Sequence, residues 1–187
     1  IEMASGHLLV ATGFDVTAKG CWLDEIQFND NTTAENWGSP VKATGAANTA
    51  DGLKITRCRW TPLVATVNSL EFLEITDDIR DLIVANNFIV HEGNASPLVL
   101  QAGSKVMQTS HIIHNHISHK MTAGDLLIDN GGATNSGIVA YNFCGNADVT
   151  GAQGGGAATG MRFFENLYTS TATESGALEP AADTPLT

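Results

Sequence analysis

Four short apolar runs carry an asparagine at the same place: "LIVANNFIV" (82–90), "HIIHNHIS" (111–118), "GIVAYNFC" (137–144) and "MRFFENLY" (161–168). Aligned on Asn87, Asn115, Asn142 and Asn166, they are spaced by 28, 27 and 24 residues. Three residues before each Asn stands Val84, Ile112, Val139 or Phe163, and two after it Ile89, Ile117, Cys144 or Tyr168. Upstream the pattern continues with the Asn replaced, as Ile55-Cys58-Trp60 and Leu23-Ile26-Phe28, at steps of 29 (58 to 87) and 32 (26 to 58). A second family lies between these copies: "LVATG" (9–13), "VKATG" (41–45), "LEITD" (73–77), "LVLQA" (98–102) and "LLIDN" (126–130). Its steps of 32, 32, 25 and 28 follow nearly the same period.

Within each copy apolar and polar residues alternate, which is the period of a strand. Two or three short strands per copy, with no helical pattern between them, predict a solenoid of parallel β-coils. Leucine-rich and ankyrin repeats are excluded, because their fixed leucine and helix signatures are absent. The runs "IVANNFIV" and "HIIHNHIS" resemble coils of the right-handed parallel β-helix, the pectate-lyase-like family. The resemblance spans most of residues 8–168. It implies an all-β fold, a short right-handed parallel β-helix, in which the six copies make about six coils over residues 1–168. The tail over 169–187, small, polar and punctuated by proline, reads as an extended C-terminal arm. The resemblance implies little about function, since that family holds lyases, hydrolases and non-enzymatic virion proteins.

In such a stack Asn87, Asn115, Asn142 and Asn166 are expected to turn inward at a corner and form a hydrogen-bonded ladder. Each amide offers two donors and an acceptor, which can satisfy buried backbone groups. Ile26 and Cys58 cannot, so the ladder should cover only the later coils. The slot after the ladder position should point outward. It holds Gln27, Arg59, Phe88, His116, Phe143 and Leu167. A slot two residues before it, read as outward too, holds Asp24, Thr56, Ala85, Ile113, Ala140 and Phe164. The first two copies are polar there and the last four largely apolar. The expected subunit interface is therefore Ala85, Phe88, Ile113, His116, Ala140, Phe143, Phe164 and Leu167. An apolar patch of that size is rarely left to solvent. A closed ring of copies, a homotrimer, is the expected arrangement, with His116 meeting its mates across the axis.

Other chemistry is sparse. His111, His114, His116 and His119 crowd one coil, but a flat strand spreads them, so no metal site is expected. The acids Asp77, Asp78 and Asp81, with Arg80 nearby, and Asp125 and Asp129 are the candidates for polysaccharide cleavage. They form no repeated column of two or three carboxylates. Asp129 reads as a turn residue in the slot that holds Thr12, Thr44 and Thr76 elsewhere. The glycine stretches 130–137 and 151–160 lack the Lys-Ser or Lys-Thr of a phosphate loop and read as tight connections. "NTT" at 31 and "NAS" at 94 match the glycosylation pattern without a secretory signal beside them. Cys21, Cys58 and Cys144 have no metal spacing and read as buried free thiols. With 20 acidic against 9 basic residues the net charge is −11, and no basic cluster exists for nucleic acid. No apolar run of 18 residues or more predicts a membrane span.

These features lead to expectations of a non-catalytic structural protein without catalytic residues, cofactor or metal. Its partners would be copies of itself and other shell proteins, and its location the virion, most specifically as a phage capsid decoration (cement) protein. The alternative is a carbohydrate-binding or polysaccharide-degrading β-helix of tailspike type. Trp22, Trp37 and Trp60 would be its stacking platforms, with Trp60 placed in the core by alternation. An ice-binding solenoid would need fuller outward threonine ranks than Thr12, Thr44 and Thr76 supply.

Overall fold

The computed structural model describes residues 13–30, 39–62, 71–91, 100–101, 105–119, 128–129, 135–145 and 161–168. Six repeats follow one another. Repeat 1 contains β1 (Phe14–Val16), β2 (Trp22–Asp24) and β3 (Gln27–Asp30). Repeat 2 contains β4 (Val41–Ala43), β5 (Lys54–Thr56) and β6 (Arg59–Pro62). Repeat 3 contains β7 (Leu73–Ile75), β8 (Ile79–Arg80), β9 (Ile83–Ala85) and β10 (Phe88–His91). Repeat 4 contains β11 (Leu100–Gln101), β12 (Met107–Gln108), β13 (Ser110–Ile113) and β14 (His116–His119). Repeat 5 has β15 (Ile128–Asp129), β16 (Gly137–Ala140) and β17 (Phe143–Gly145), and repeat 6 has β18 (Met161–Phe164) and β19 (Leu167–Tyr168).

Strands pair across repeats. The first sheet runs β1-β4-β7-β11-β15, the second β2-β5-β9-β13-β16-β18 and the third β3-β6-β10-β14-β17-β19, while β8 pairs with β12. Every pairing is parallel. The fold is thus all-β with parallel sheets and no helix among the described residues, consistent with a β-solenoid.

The register of the second and third sheets is the one the asparagine alignment predicts. Leu23, Ile55, Val84, Ile112, Val139 and Phe163 are successive partners. The first sheet differs. Phe14, not Leu9, lies opposite Val41, and Leu9 itself is outside the described residues. Val41 pairs with Leu73 and Leu100 with Ile128 at the expected steps of 32 and 28, but Leu73 pairs with Leu100, two residues beyond the expected Leu98. A slip of two leaves the inward and outward faces unchanged, so alternation could not detect it. Asp129 consequently pairs with Gln101, in the row of Glu74, and does not share the row of Thr44 and Thr76.

Inward residues form one core. Val41, Leu73, Ile55, Trp60, Ile89, Ile112 and Ile117 are all essentially inaccessible. Burying each such aliphatic side chain contributes about 1.5–3 kcal/mol. At the early end the core is aromatic. Phe14 meets Phe28 edge-on, Phe28 meets Phe72 edge-on, and Trp60 meets Phe72 tilted, each at 5.9 Å between centroids.

Two corners turn the chain with left-handed residues. The residue before each ladder position, from Glu25 and Arg57 through Asn86, His114, Tyr141 and Glu165, has φ between 51° and 58°. Their N–H groups bridge repeats: Arg57 to the Ala85 carbonyl, Asn86 to Ile113 and His114 to Ala140. A left-handed non-glycine residue costs about 1–2 kcal/mol, and these cross-repeat bonds hold it in place. The other corner repeats the device at Gly20, Gly52, Asp81 and Thr109. Gly137 answers a different need. A Cβ there would stand 2.0 Å from the Ser110 carbonyl oxygen, so the repeats could not approach this closely with any other residue.

The ladder fills the interior behind the first corner. Asn87 Nδ2 donates to Asn115 Oδ1 (3.0 Å), Asn115 Nδ2 to Asn142 Oδ1 (2.9 Å) and Asn142 Nδ2 to Asn166 Oδ1 (2.9 Å). The same Oδ1 atoms accept the backbone N–H of Asn87, Asn115 and Asn142. Each Nδ2 also donates backward, to the carbonyls of Ile55, Val84, Ile112 and Val139. Asn115 and Asn142 therefore use both donors and both acceptor positions of the amide. Cys58 N–H donates to Asn87 Oδ1 at 2.9 Å, so the ladder ends on repeat 2. The Cys58 thiol lies 3.6 Å from the Leu23 carbonyl, the place an amide would reach. Burial pushes that thiol up to about 11, which keeps the S–H donor at neutral pH.

Candidate assembly surface

The third sheet's first outward position places Gln27, Arg59, Phe88, His116, Phe143 and Leu167 in one register column. Parallel strands stack about 4.8 Å apart, and that spacing lets planar side chains pile face to face. Phe88 stacks on His116 with centroids 4.8 Å apart, and Phe143 meets His116 from the other side, also at 4.8 Å but tilted by 45°. The Arg59 guanidinium carbon stands 5.2 Å above the Phe88 ring, a cation–π contact. Beside this column runs the left-handed corner. There His114 lies flat on Tyr141, at 5.0 Å and 7°, and Tyr141 meets Phe164 edge-on at 5.5 Å. Phe88, Tyr141 and Leu167 are 36, 46 and 51% exposed, so this strip of rings faces outward.

Of the eight residues predicted for an interface, Phe88, His116 and Leu167 are exposed. Ile113, Phe143 and Phe164 are half-buried. Ala85 and Ala140 are the corrections. They hold the predicted column, in register with Thr56, Ile113 and Phe164. Both are nonetheless buried, at 5 and 0% exposure. A methyl group between larger neighbours one strand apart is covered by them, so pointing outward does not make it accessible. Tyr141 and His114 were not predicted for the strip. The signal was present: a corner residue preceding an inward Asn must itself point out.

The same face of repeats 1 and 2 is polar. Arg57 binds Asp24 and also Glu25, the latter at 3.1 Å. Thr56 Oγ1 donates to Asp24 Oδ1 at 2.5 Å and accepts from Trp22 Nε1 at 2.8 Å. Trp22 is 61% exposed. Trp60 is fully buried and Trp37 lies outside the described residues.

The acids singled out in the sequence serve turns. Asp78 Oδ1 accepts the Val106 N–H at 3.0 Å, Asp81 accepts from the Thr109 hydroxyl, and Asp77 faces Lys105 at 3.8 Å. Asp125 and the Asp129 side chain lie outside the described residues, as do Thr12, both glycosylation motifs, the stretch 151–160 and the arm 169–187. His111, like His114 and His116, is exposed, and the His119 side chain is outside the description. Among the described residues no group of three or more His, Cys, Asp or Glu could hold a metal. None of their helices is long and apolar enough to cross a membrane. Cys21 is half-buried and Cys58 buried, both free, and the Cys144 thiol is not described.

One carboxylate is deeply buried. Glu71, 1% exposed, accepts a bond from Ser39 Oγ at 2.7 Å through Oε1, and among the described residues Oε2 has no partner. Burial holds this carboxyl above the usual carboxylate range, with the Ser39 bond acting the other way. A single carboxylate sealed in the core offers a substrate no access. No family model, curated protein or solved structure matches this chain.

Proposed function

We propose that this chain is a non-catalytic structural component of an assembly, folded as a short right-handed parallel β-helix, and that copies associate through the outer aromatic strip. The observation that carries the reading is the contrast in charge. The chain is strongly acidic. Yet the three outward columns of repeats 3 to 5, from Ala85 to Phe143, contain no Asp or Glu. Acidic copies repel one another, and this face is where two of them meet with least repulsion. Two pairs of its rings, Phe88 with His116 and His114 with Tyr141, already stack on each other, which suits edge-on packing against another protein better than stacking on a free sugar.

A closed homotrimer would set the strip along a three-fold axis, where a residue such as His116 meets its own symmetry mates and the head-to-tail contacts close into a ring. The most specific form of the proposal is a decoration protein on a phage capsid, which stabilises a shell of other virion proteins by binding it. That last step rests on resemblance of fold alone.

Sedimentation equilibrium tests the association. A trimer at micromolar concentration is expected, converted to monomer by Phe88→Ser with Phe143→Ser. A wild-type monomer throughout that range removes the proposal. Incubation with acidic polysaccharides tests the non-catalytic part, and release of reducing or unsaturated ends would overturn it.

A further inference from the structure

Three exposed histidines, His111, His114 and His116, belong to repeat 4 and lie on the outer face of repeats 3 to 5, whose three outward columns hold no Asp or Glu; Glu165 of repeat 6 is exposed at the same corner. His116 lies between two phenyl rings, with Phe88 from β10 and Phe143 from β17 each 4.8 Å away. Beyond Phe88, β6 contributes Arg59. The corner contributes His114 and, stacked on it, Tyr141. The strand partners of His111 are Ile83 and Ile138. Among the described residues, the charged and titratable groups that the strands and corner packed against His116 contribute are Arg59, His114 and Tyr141, and the carboxylate at this corner is Glu165 of repeat 6, beyond Tyr141.

We infer that the aromatic strip is a pH-gated contact between copies of this chain, closed while His114 and His116 are neutral and opened when they take up protons. The inference rests on the assembly reading above. An imidazolium keeps its charge stabilised by water or by an anion. In the free chain water reaches both rings. Closing the strip over repeats 3 to 5 removes that water, the outward columns of these repeats supply no carboxylate in its place, and it brings the imidazoliums of one copy toward those of the next. Both effects oppose closure once the rings are charged. Imidazole is the side chain whose charge changes across the physiological pH range, so the contact weakens as pH falls through that range.

The sign separates this device from the chain's general acidity. Lowering pH toward the carboxylate range reduces the negative charge, which by itself would strengthen self-association. The histidine strip acts in the opposite direction. Each proton that closure excludes raises the dissociation constant about tenfold between pH 7.5 and pH 5.5.

The test is sedimentation of the full chain at pH 7.5 and pH 5.5, with far-ultraviolet circular dichroism at both. The wild type should dissociate at least about tenfold more readily at pH 5.5 with its β-sheet signal intact. His116→Phe, which keeps a ring in the stack, and His114→Gln should each reduce that ratio. Association that is equal or tighter at pH 5.5 overturns the gating and leaves the assembly reading standing. So does a pH response that both variants retain in full, or dissociation that coincides with loss of sheet signal. A wild type monomeric at pH 7.5 instead defeats the assembly reading, and the gating with it.

Discussion

Repeats 1 and 2 and repeats 3 to 6 share one backbone and differ in what fills it. In both regions the corner residue is left-handed and the next residue turns inward. In the early region that inward residue is Ile26 or Cys58, backed by the interlocked rings of Phe14, Phe28, Trp60 and Phe72. In the later region it is an asparagine, backed by Val84, Ile89, Ile112, Ile117 and Val139. Outside, the early region is tied by Arg57, Asp24, Glu25 and Thr56, and the later one by stacked rings. The comparison shows that the amides do not create the corner. They satisfy the backbone groups that a corner in a narrow core would leave buried. Where bulky aromatics fill the interior, the chain does without them.

The largest effect should come from breaking the ladder in its middle. Asn115→Leu leaves the Asn87 backbone N–H, one of the two Asn87 amide hydrogens and the Val84 carbonyl without their ladder partners. At about 1–3 kcal/mol for each orphaned group, the loss is about 3 kcal/mol or more in urea unfolding. Ile26→Val, at the same position in repeat 1, should cost about 1 kcal/mol. Equal losses at the two sites would erase the distinction between the regions.

Glu71 sharpens the early side through pH. Its folded carboxyl titrates above the ordinary value, because burial disfavours the charge. The stability linked to it is therefore fully present below the unfolded carboxyl range, near pH 4.3, and is lost as pH rises through the folded value. Glu71→Gln should flatten this slope and raise the urea midpoint at pH 7.5 relative to wild type. An unchanged difference between the two proteins from pH 4.5 to 7.5 would show that the carboxylate is solvated or paired.

Extending the ladder is a smaller test. Cys58→Asn places an amide where the thiol now faces the Leu23 carbonyl. A gain of about 0.5–1.5 kcal/mol is expected if the core admits it. A loss would mean that the aromatic cluster and the ladder compete for one space. The smallest effect belongs to the surface ties. Arg57→Ala, which removes exposed ion pairs to Asp24 and Glu25, should change stability by about 1 kcal/mol or less, and less still in high salt.

Much of this architecture could be read from residues. A buried asparagine at a fixed interval has few structural uses, and the register of two sheets followed from it. The first sheet's register followed only in part: the steps from Val41 to Leu73 and from Leu100 to Ile128 hold, the step from Leu73 slips by two because Leu98 and Leu100 are equivalent under alternation, and Phe14 in place of Leu9 is an odd offset that alternation does not explain. The left-handed corner showed itself only at Asn86 and His114, residue types enriched in that conformation. Glu25, Arg57, Tyr141 and Glu165 carry no such mark. For the surface, the columns were legible and the accessibility was not. Ala85 and Ala140 are covered by their neighbours' bulk, while Tyr141 and Trp22 project beyond theirs.

Hydroxyl-radical footprinting across a concentration series tests the central claim most directly. As the chain associates, oxidation of Phe88, Tyr141 and Phe143 should fall together, while Trp22 on the early repeats keeps its rate. Labelling of the three rings that is independent of concentration, or protection that appears at Trp22 instead, would contradict the assignment of the later repeats' outer strip as the contact surface.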